Sequence, residues 1–229
     1  MTELPVGPPV DATPARRPEP VVLNGRYGRL EKLGAQHAHT LWEAVRGHDH
    51  IWTYMSSYGP FADGNTFHDW VVSRTTLEDP YSYAVINPTG HCVGVSTLMD
   101  IRTAARSVEV GHIVYSPALQ RTPLGTEVQY LLARYAFETL GNRRYEWKCN
   151  ALNAPSRRAA LRYGFAFEGI LRQHNIAKGR NRDTAYFSML DSEWPTRKAA
   201  FERWLAPENF DAQGNQKVSL GAFNGSAAR

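Results

Sequence analysis

The chain has 229 residues, 42% of them hydrophobic, and a formal net charge of +4. That is enough apolar sequence for one domain with a real core, and the mild basic excess suits an anionic small ligand as well as it suits nucleic acid. Two cysteines exclude a disulfide scaffold, and no apolar run reaches the ~18 residues of a membrane span.

Residues 1–20 carry Pro5, Pro8, Pro9, Pro14, Pro18 and Pro20, which predicts an extended arm or a disordered tail. The N-terminus has no apolar leader, so a cytoplasmic location without membrane partners is the expectation. A first strand is predicted over 21–33. Ala38, Leu41, Trp42 and Val45 share one face of a helix over 35–45. The aromatic stretch 48–61 fits neither period, and a second helix over 66–78 places Phe67, Trp70 and Val71 on one side.

Strands follow at 81–86, 92–101 and 107–115, with Asn87-Pro88-Thr89-Gly90 as a turn. The clearest helix runs over 126–140, where Val128, Leu131, Leu132, Tyr135 and Ala136 form the apolar stripe. Gly141-Asn142 ends it. A strand over 144–150 leads into a helix opened by Asn153-Ala154-Pro155-Ser156 and closed at Gly164-Phe165. Two strands, 165–179 and 184–194, are joined by the basic turn GRNRD, and a last helix spans 196–205. From Asp211 the chain is rich in Gly, Asn, Ser and Ala, which predicts a loose end. The order implies an α/β domain with a partly antiparallel sheet. It divides into an arm at 1–20, a main domain at 21–194, and a helical extension with a flexible tail at 195–229.

Dinucleotide, P-loop, serine-hydrolase and zinc-protease motifs are absent. The pairs His37/His39 and His48/His50 lack a carboxylate or cysteine to complete a ligand set, so no metal is expected. Arg16-Arg17, Arg143-Arg144 and Arg157-Arg158 are scattered pairs rather than an arm, and no stacking motif supports RNA binding. One junction stands out. The strand ending at Tyr115 runs through Leu119-Gln120-Arg121-Thr122-Pro123-Leu124-Gly125 into the long helix. A helix N-terminus with Gly and Arg offers N–H groups and positive charge to a phosphate, although a plain strand-to-helix connection would read similarly.

The segments 52–61, 119–127, 145–165 and 167–190, in this order, resemble the GNAT superfamily of acetyl-CoA-dependent N-acetyltransferases over residues 21–194. Within it the chain is most similar to the RimJ/RimL-like branch, which acetylates protein α-amines and, in related members, small-molecule amines. The resemblance implies a GNAT-type acyl-CoA N-acyltransferase fold: a mostly antiparallel central sheet, flanked by helices, whose strands splay near Tyr115 and Cys149. It implies acetyl-CoA as cosubstrate and an amine as acceptor, with Ile113, Val114 and Tyr115 beside the pantetheine arm. Gln120, Arg121, Thr122, Leu124, Gly125 and Thr126 would hold the pyrophosphate, and Asn153 the amide arm. A homodimer is also within its scope.

The tyrosine that many members carry as the acid is missing at the position of Ala160; the resemblance to RimJ/RimL-type enzymes, which use a serine at the position of Ser156, implies Ser156 as the acid at the departing sulfur. Pro123 stands where the family has an inner glycine and removes one backbone donor. Glu109 is the expected base, with His174 as its competitor. Strand alternation lets only one of His174 and Asn175 face the cleft, and the family places Asn175 there. Trp52, Tyr54, Tyr58 and Phe61 are expected to shape the acceptor pocket between the first two helices, with an ordinary aromatic core as the equal alternative for any one of them. Pro123 and Ala160 also fit a non-catalytic acyl-CoA-binding protein of the same fold.

Overall fold

The computed structural model describes residues 4–225. Strands β1 (Leu23–Asn24), β2 (Arg29–Lys32), β3 (Tyr81–Ile86), β4 (Cys92–Arg102) and β5 (Ser107–Tyr115) form an antiparallel run. Strand β6 (Arg144–Asn150) joins β5 in parallel, and the hairpin of β7 (Ala166–Ala177) and β8 (Arg180–Leu190) completes the sheet. The eight strands lie in the order β1-β2-β3-β4-β5-β6-β8-β7.

Helices α1 (Ala38–Val45) and α2 (Gly64–Thr75) cover one face, burying Leu41, Phe67 and Val71 against Ala84, Ile86, Val95 and Val114. Helices α3 (Pro123–Arg134), α4 (Ala154–Tyr163) and α5 (Trp194–Leu205) cover the other with Val128, Leu131, Leu132 and Phe201, against Val108, Val110, Tyr145 and Phe187. Fully burying each such side chain stabilises by roughly 1.5–3 kcal/mol.

The β5–β6 pairing is the decisive feature. It holds only from Ser107 to Val110 against Arg144 to Trp147. Beyond those residues the two strands have no ladder between them, so a gap opens through the sheet. A bulge at His112, with φ at +47°, shifts the β4–β5 register where that gap begins. The splayed strands and flanking helices match the arrangement that the sequence resemblance implies.

Several boundaries differ from expectation. The predicted strand over 21–33 is a two-strand ribbon, β1 and β2, with Gly25 and Gly28 closing its turn through a 2.8 Å backbone bond. Helix α3 begins at Pro123, because Thr122 caps it by accepting the Gly125 N–H at 3.1 Å. The long helix ends in a π-turn over Tyr135–Thr139. The β7–β8 turn falls at Lys178-Gly179, ahead of the arginines assigned to it.

The proline-rich segment lacks regular structure but lies along the body. Ala15 and Arg16 donate to the carbonyls of Thr103 and Leu140 at 3.0 and 2.8 Å. The C-terminal segment is also held: α6 (Leu220–Phe223) buries Leu220 completely, and Asn209 donates to the carbonyls of Trp204 and Val218 at 3.1 Å each. Residues 1–3 of the arm and 226–229 of the tail lie outside the described residues. Among the described residues no helix is long and apolar enough to cross a membrane.

Candidate active site

A cleft of about 1250 Å³ passes through the gap between β5 and β6. It joins the two faces of the sheet, so a ligand entering from α3 and α4 can meet one entering from the α1–α2 side.

On the α3–α4 face, Tyr115 donates to the Gly125 carbonyl at 3.0 Å and accepts from Gln129 Nε2 at 2.8 Å. These bonds tie the end of β5 to the first turns of α3. Gln120 adds a further tie, donating to the backbone carbonyl of Tyr115 at 3.0 Å. Pro123 occupies N1 or N2 of α3, a position whose N–H the helix itself cannot use. Its missing donor therefore leaves the helix's own hydrogen bonding intact, and α3 still presents the positive end of its dipole to the cleft. Arg121, Arg158 and Arg162 line this end, and none has a carboxylate within ion-pair distance among the described residues. Arg162 donates to Thr126 Oγ1 at 3.1 Å and lies over the Trp204 ring at 4.7 Å.

Helix α4 is positioned by three local signals. Asn153 Oδ1 accepts the Ser156 N–H at 3.1 Å, Pro155 sits in the first turn, and Gly164 closes the helix at φ +94°. The cap brings Ser156 to the cleft, where its hydroxyl oxygen accepts the Trp147 indole N–H at 3.0 Å. Indole nitrogen only donates, so the serine proton is left to point elsewhere. Ala160 is fully buried, and its place has no access to the cleft.

On the opposite face, Glu109 lies beside Glu146 in the parallel register and opposite Met99 on β4. Lys148 Nζ sits between three carboxylates, at 2.8 Å from Glu109, 2.9 Å from Asp100 and 3.1 Å from Glu146. Arg102 and Arg144 add contacts to Glu146 at 2.7 and 2.6 Å. Burial raises the Glu109 carboxyl above the usual range, against the pull of Lys148. Gly111 makes room for it: a Cβ there would lie 2.6 Å from Met99 Sδ and 3.2 Å from Glu109 Oε1.

His112 was not a sequence candidate. Its Nδ1 lies 2.6 Å from the Tyr58 hydroxyl, with the two rings stacked. Burial lowers its pKa to about 4, so the imidazole is neutral, and burial raises the Tyr58 phenol so that it keeps its proton. The signal that could have found it is weak, since a bulge is not visible in strand alternation.

The cleft brings together Glu109, Ile113, Tyr115, Gln120, Arg121, Thr122, Gly125, Thr126, Asn153, Ser156, Tyr54 and Asn175. Five expected residues lie elsewhere. The bulge turns the Val114 side chain into the α1–α2 core, and Leu124 packs into the α3–α5 core. Trp52, Tyr58 and Phe61 form an edge-to-face aromatic cluster with Phe67 and Trp70 of α2, behind the wall they were expected to make. Tyr54 alone of that group lines the cleft, donating to the Leu152 carbonyl at 3.2 Å. His174 and Asn175 both reach the cleft, contrary to simple alternation, because β7 shifts register between Leu171 and Asn175 with Gln173 at φ +50°.

The sequence also gave no sign of the C-terminal wall. Trp204, Phe210 and Gly214 to Gln216 line the α3–α4 end of the cleft, and Trp204 Nε1 donates to Gln216 Oε1 at 2.7 Å.

Residues 29–166 match the acetyltransferase (GNAT) domain family. A solved GCN5-related N-acetyltransferase from Brucella melitensis is 46% identical, with 94% of this chain and 99% of that one covered at a TM-score of 0.91. A solved probable acetyltransferase of the GNAT family from Chromobacterium violaceum is 38% identical over 85% of this chain and 99% of that one, at a TM-score of 0.78. A solved structure from Vibrio cholerae, described as a putative ribosomal-protein-serine acetyltransferase, shares the fold at 20% identity over 74% of this chain and 97% of that one, with a TM-score of 0.64. No protein of curated function matches the chain. The chain belongs to the GNAT acetyltransferase family.

Proposed function

We propose that the protein transfers an acetyl group from acetyl-CoA to a primary amine, as a RimJ/RimL-like N-acetyltransferase. The observation that carries this reading is the through-sheet cleft itself. Its α3–α4 end gathers Arg121, Arg158 and Arg162, without carboxylate partners among the described residues, beside a capped helix N-terminus. Unpaired guanidinium groups around a helix dipole fit the phosphates of coenzyme A. Acetyl-CoA supplies the thioester that makes the acetyl group transferable.

The chain's own residues then do four things. Arg121, Arg162 and the first turn of α3 hold the phosphates. Asn153 and the unpaired edge of β5, from Gly111 to Tyr115, line the path of the pantetheine arm and offer backbone donors to the carbonyl. Ser156 keeps its proton available at the place where sulfur departs, its oxygen fixed by Trp147. Glu109, raised by burial, accepts the proton released by the amine, through water. Attack is direct, and holding two substrates in one cleft itself contributes several kcal/mol.

An α-amine suits such a site: with a pKa near 8, roughly a tenth of it is neutral at pH 7. The test is thiol release from acetyl-CoA across protein N-terminal peptides and small amines. Binding of acetyl-CoA without release with any amine would favour a non-catalytic acyl-CoA-binding role.

A further inference from the structure

The arginines of the cleft fall on two sides of the sheet. Arg121, Arg158 and Arg162 belong to the α3–α4 face and are accounted for by the phosphates of the donor. Arg182 belongs to the other face. It lies on β8 opposite Asn175 of β7, and it shares its side of the strand with Thr184 and Tyr186. Those two residues mark the acceptor end: Thr184 Oγ1 is 3.0 Å from His174 Nδ1, and Lys148 Nζ lies 5.1 Å from the centre of the Tyr186 ring.

Arg182 lines the cleft, and its Nε is buried without a hydrogen-bond partner among the described residues. No carboxylate among those residues lies within ion-pair distance of it. The carboxylates lining the cleft, Asp100 and Glu109, are both drawn onto Lys148 at 2.9 and 2.8 Å. The residue is half-buried, but a buried Nε–H without an acceptor is costly, and a ligand that brings an anion to it recovers that cost.

We propose, building on the acetyl-transfer reading, that the acceptor is an amine bearing its own carboxylate, which Arg182 binds while the amine faces Glu109. The fork of the guanidinium matches a carboxylate in plane, which fixes the acceptor's orientation as well as its charge. A polyamine is disfavoured, because no carboxylate of the cleft is left for a second ammonium.

Two sources share this chemistry: a free amino acid, and a peptide with an acidic residue near its N-terminus. Rates would be measured with glycine against glycinamide, L-methionine against L-methioninamide, and Ala-Asp-Ala-amide against Ala-Asn-Ala-amide, at equal concentrations of neutral amine. At least one pair should favour its carboxylate member by about 30-fold in kcat/KM, and which pair does so identifies the source. Arg182→Gln should collapse that ratio and Arg182→Lys restore part of it, with acetyl-CoA affinity kept within about two-fold. Equal or better rates on the uncharged member of every pair would overturn the proposal, as would a ratio that survives Arg182→Gln. If no amine releases thiol, the acetyl-transfer reading fails separately. Titration of N-acetyl-L-methionine against N-acetyl-L-methioninamide into wild-type and Arg182→Gln protein then decides the role of Arg182.

Discussion

The indole N–H of Trp147 donates to the hydroxyl oxygen of Ser156 across 3.0 Å. One residue comes from β6 at the edge of the gap and the other from the first turn of α4, so the bond sets the serine rotor relative to the splayed strands. Ser156→Ala should lower kcat by about 10–100-fold with little change in acetyl-CoA affinity, because a proton donor matters most as charge develops on sulfur. Trp147→Phe should give a smaller loss in kcat, since the hydroxyl remains and only its orientation is released. Steady-state kinetics beside calorimetric binding separates the two effects. A crippled Tyr163→Phe variant beside an unaffected Ser156→Ala would move the acid to Tyr163, which also lines the cleft.

Gly125 is an unsuitable probe of phosphate binding. A Cβ there would lie 2.7 Å from the Leu119 carbonyl, so any side chain disturbs the loop before it meets a ligand. Arg121→Glu is the cleaner reversal, because Arg121 is exposed at the mouth. It should weaken acetyl-CoA by about 10-fold or more while leaving Tm without ligand nearly unchanged. Acetyl-pantetheine, which lacks the pyrophosphate, should bind both proteins alike.

Acid stability has a definite sign here. Glu168 accepts from Arg144 at 2.7 Å and Ser188 at 2.6 Å, and these contacts lower its carboxyl from 4.5 to about 2. Its contribution is therefore present above pH 4.5 and lost as pH falls from there towards 2. His112, lowered from 6.5 to about 4 by burial, contributes in the same sense above pH 6.5 and loses it between 6.5 and 4. Glu168→Gln should flatten the first window by about 1 kcal/mol, since solvent screens the partly exposed pair. Urea unfolding at stepped pH reads both windows.

Glu109 has the opposite sign. Burial raises its carboxyl, so its protonated form favours the fold and that contribution fades as pH rises through the raised value. Glu109→Gln should lower kcat and abolish the acidic limb of the rate profile, with acetyl-CoA affinity nearly unchanged. Retention of that limb, beside its loss in His174→Ala, would transfer the role of base to His174.

The C-terminal wall leads to a deletion test. Ending the chain after Leu205 removes Phe210 and Gln216 from the cleft and Leu220 from the core. Acetyl-CoA affinity should fall by about 10-fold or more, and Tm by several degrees, from the loss of buried apolar area. The single change Gln216→Ala frees Trp204 Nε1 without emptying the core, and should affect ligand binding more than Tm.

Helix α4 shows what was legible in the sequence. Its Asn cap, early Pro and closing Gly are local signals, and all three sit where they were read. The strand order from β3 to β6 was legible for the same reason, because alternation and turns are local. Pro123 was read in a loop ahead of the helix, because its place in the first turn shows only once Thr122 is seen to cap; the donor it lacks is one a ligand could have used. Trp52, Tyr58 and Phe61 were aromatic enough for a pocket, yet their packing partners on α2 lie in a different segment. His112 and His174 both depend on bulges, which move a side chain to the other face without altering composition. Arg162 drew no reading and Arg182 fell within a basic turn, because which arginines face a cleft is a tertiary property.

The central claim is that the cleft between β5 and β6 holds acetyl-CoA and delivers its acetyl group to an amine. Thiol release from acetyl-CoA, followed in the presence and absence of the amine and amino-acid panel, tests it most directly. The account predicts release that requires an amine, saturates with acetyl-CoA and falls steeply in Ser156→Ala. Wild-type protein that neither binds acetyl-CoA nor releases thiol with any amine of the panel would contradict it.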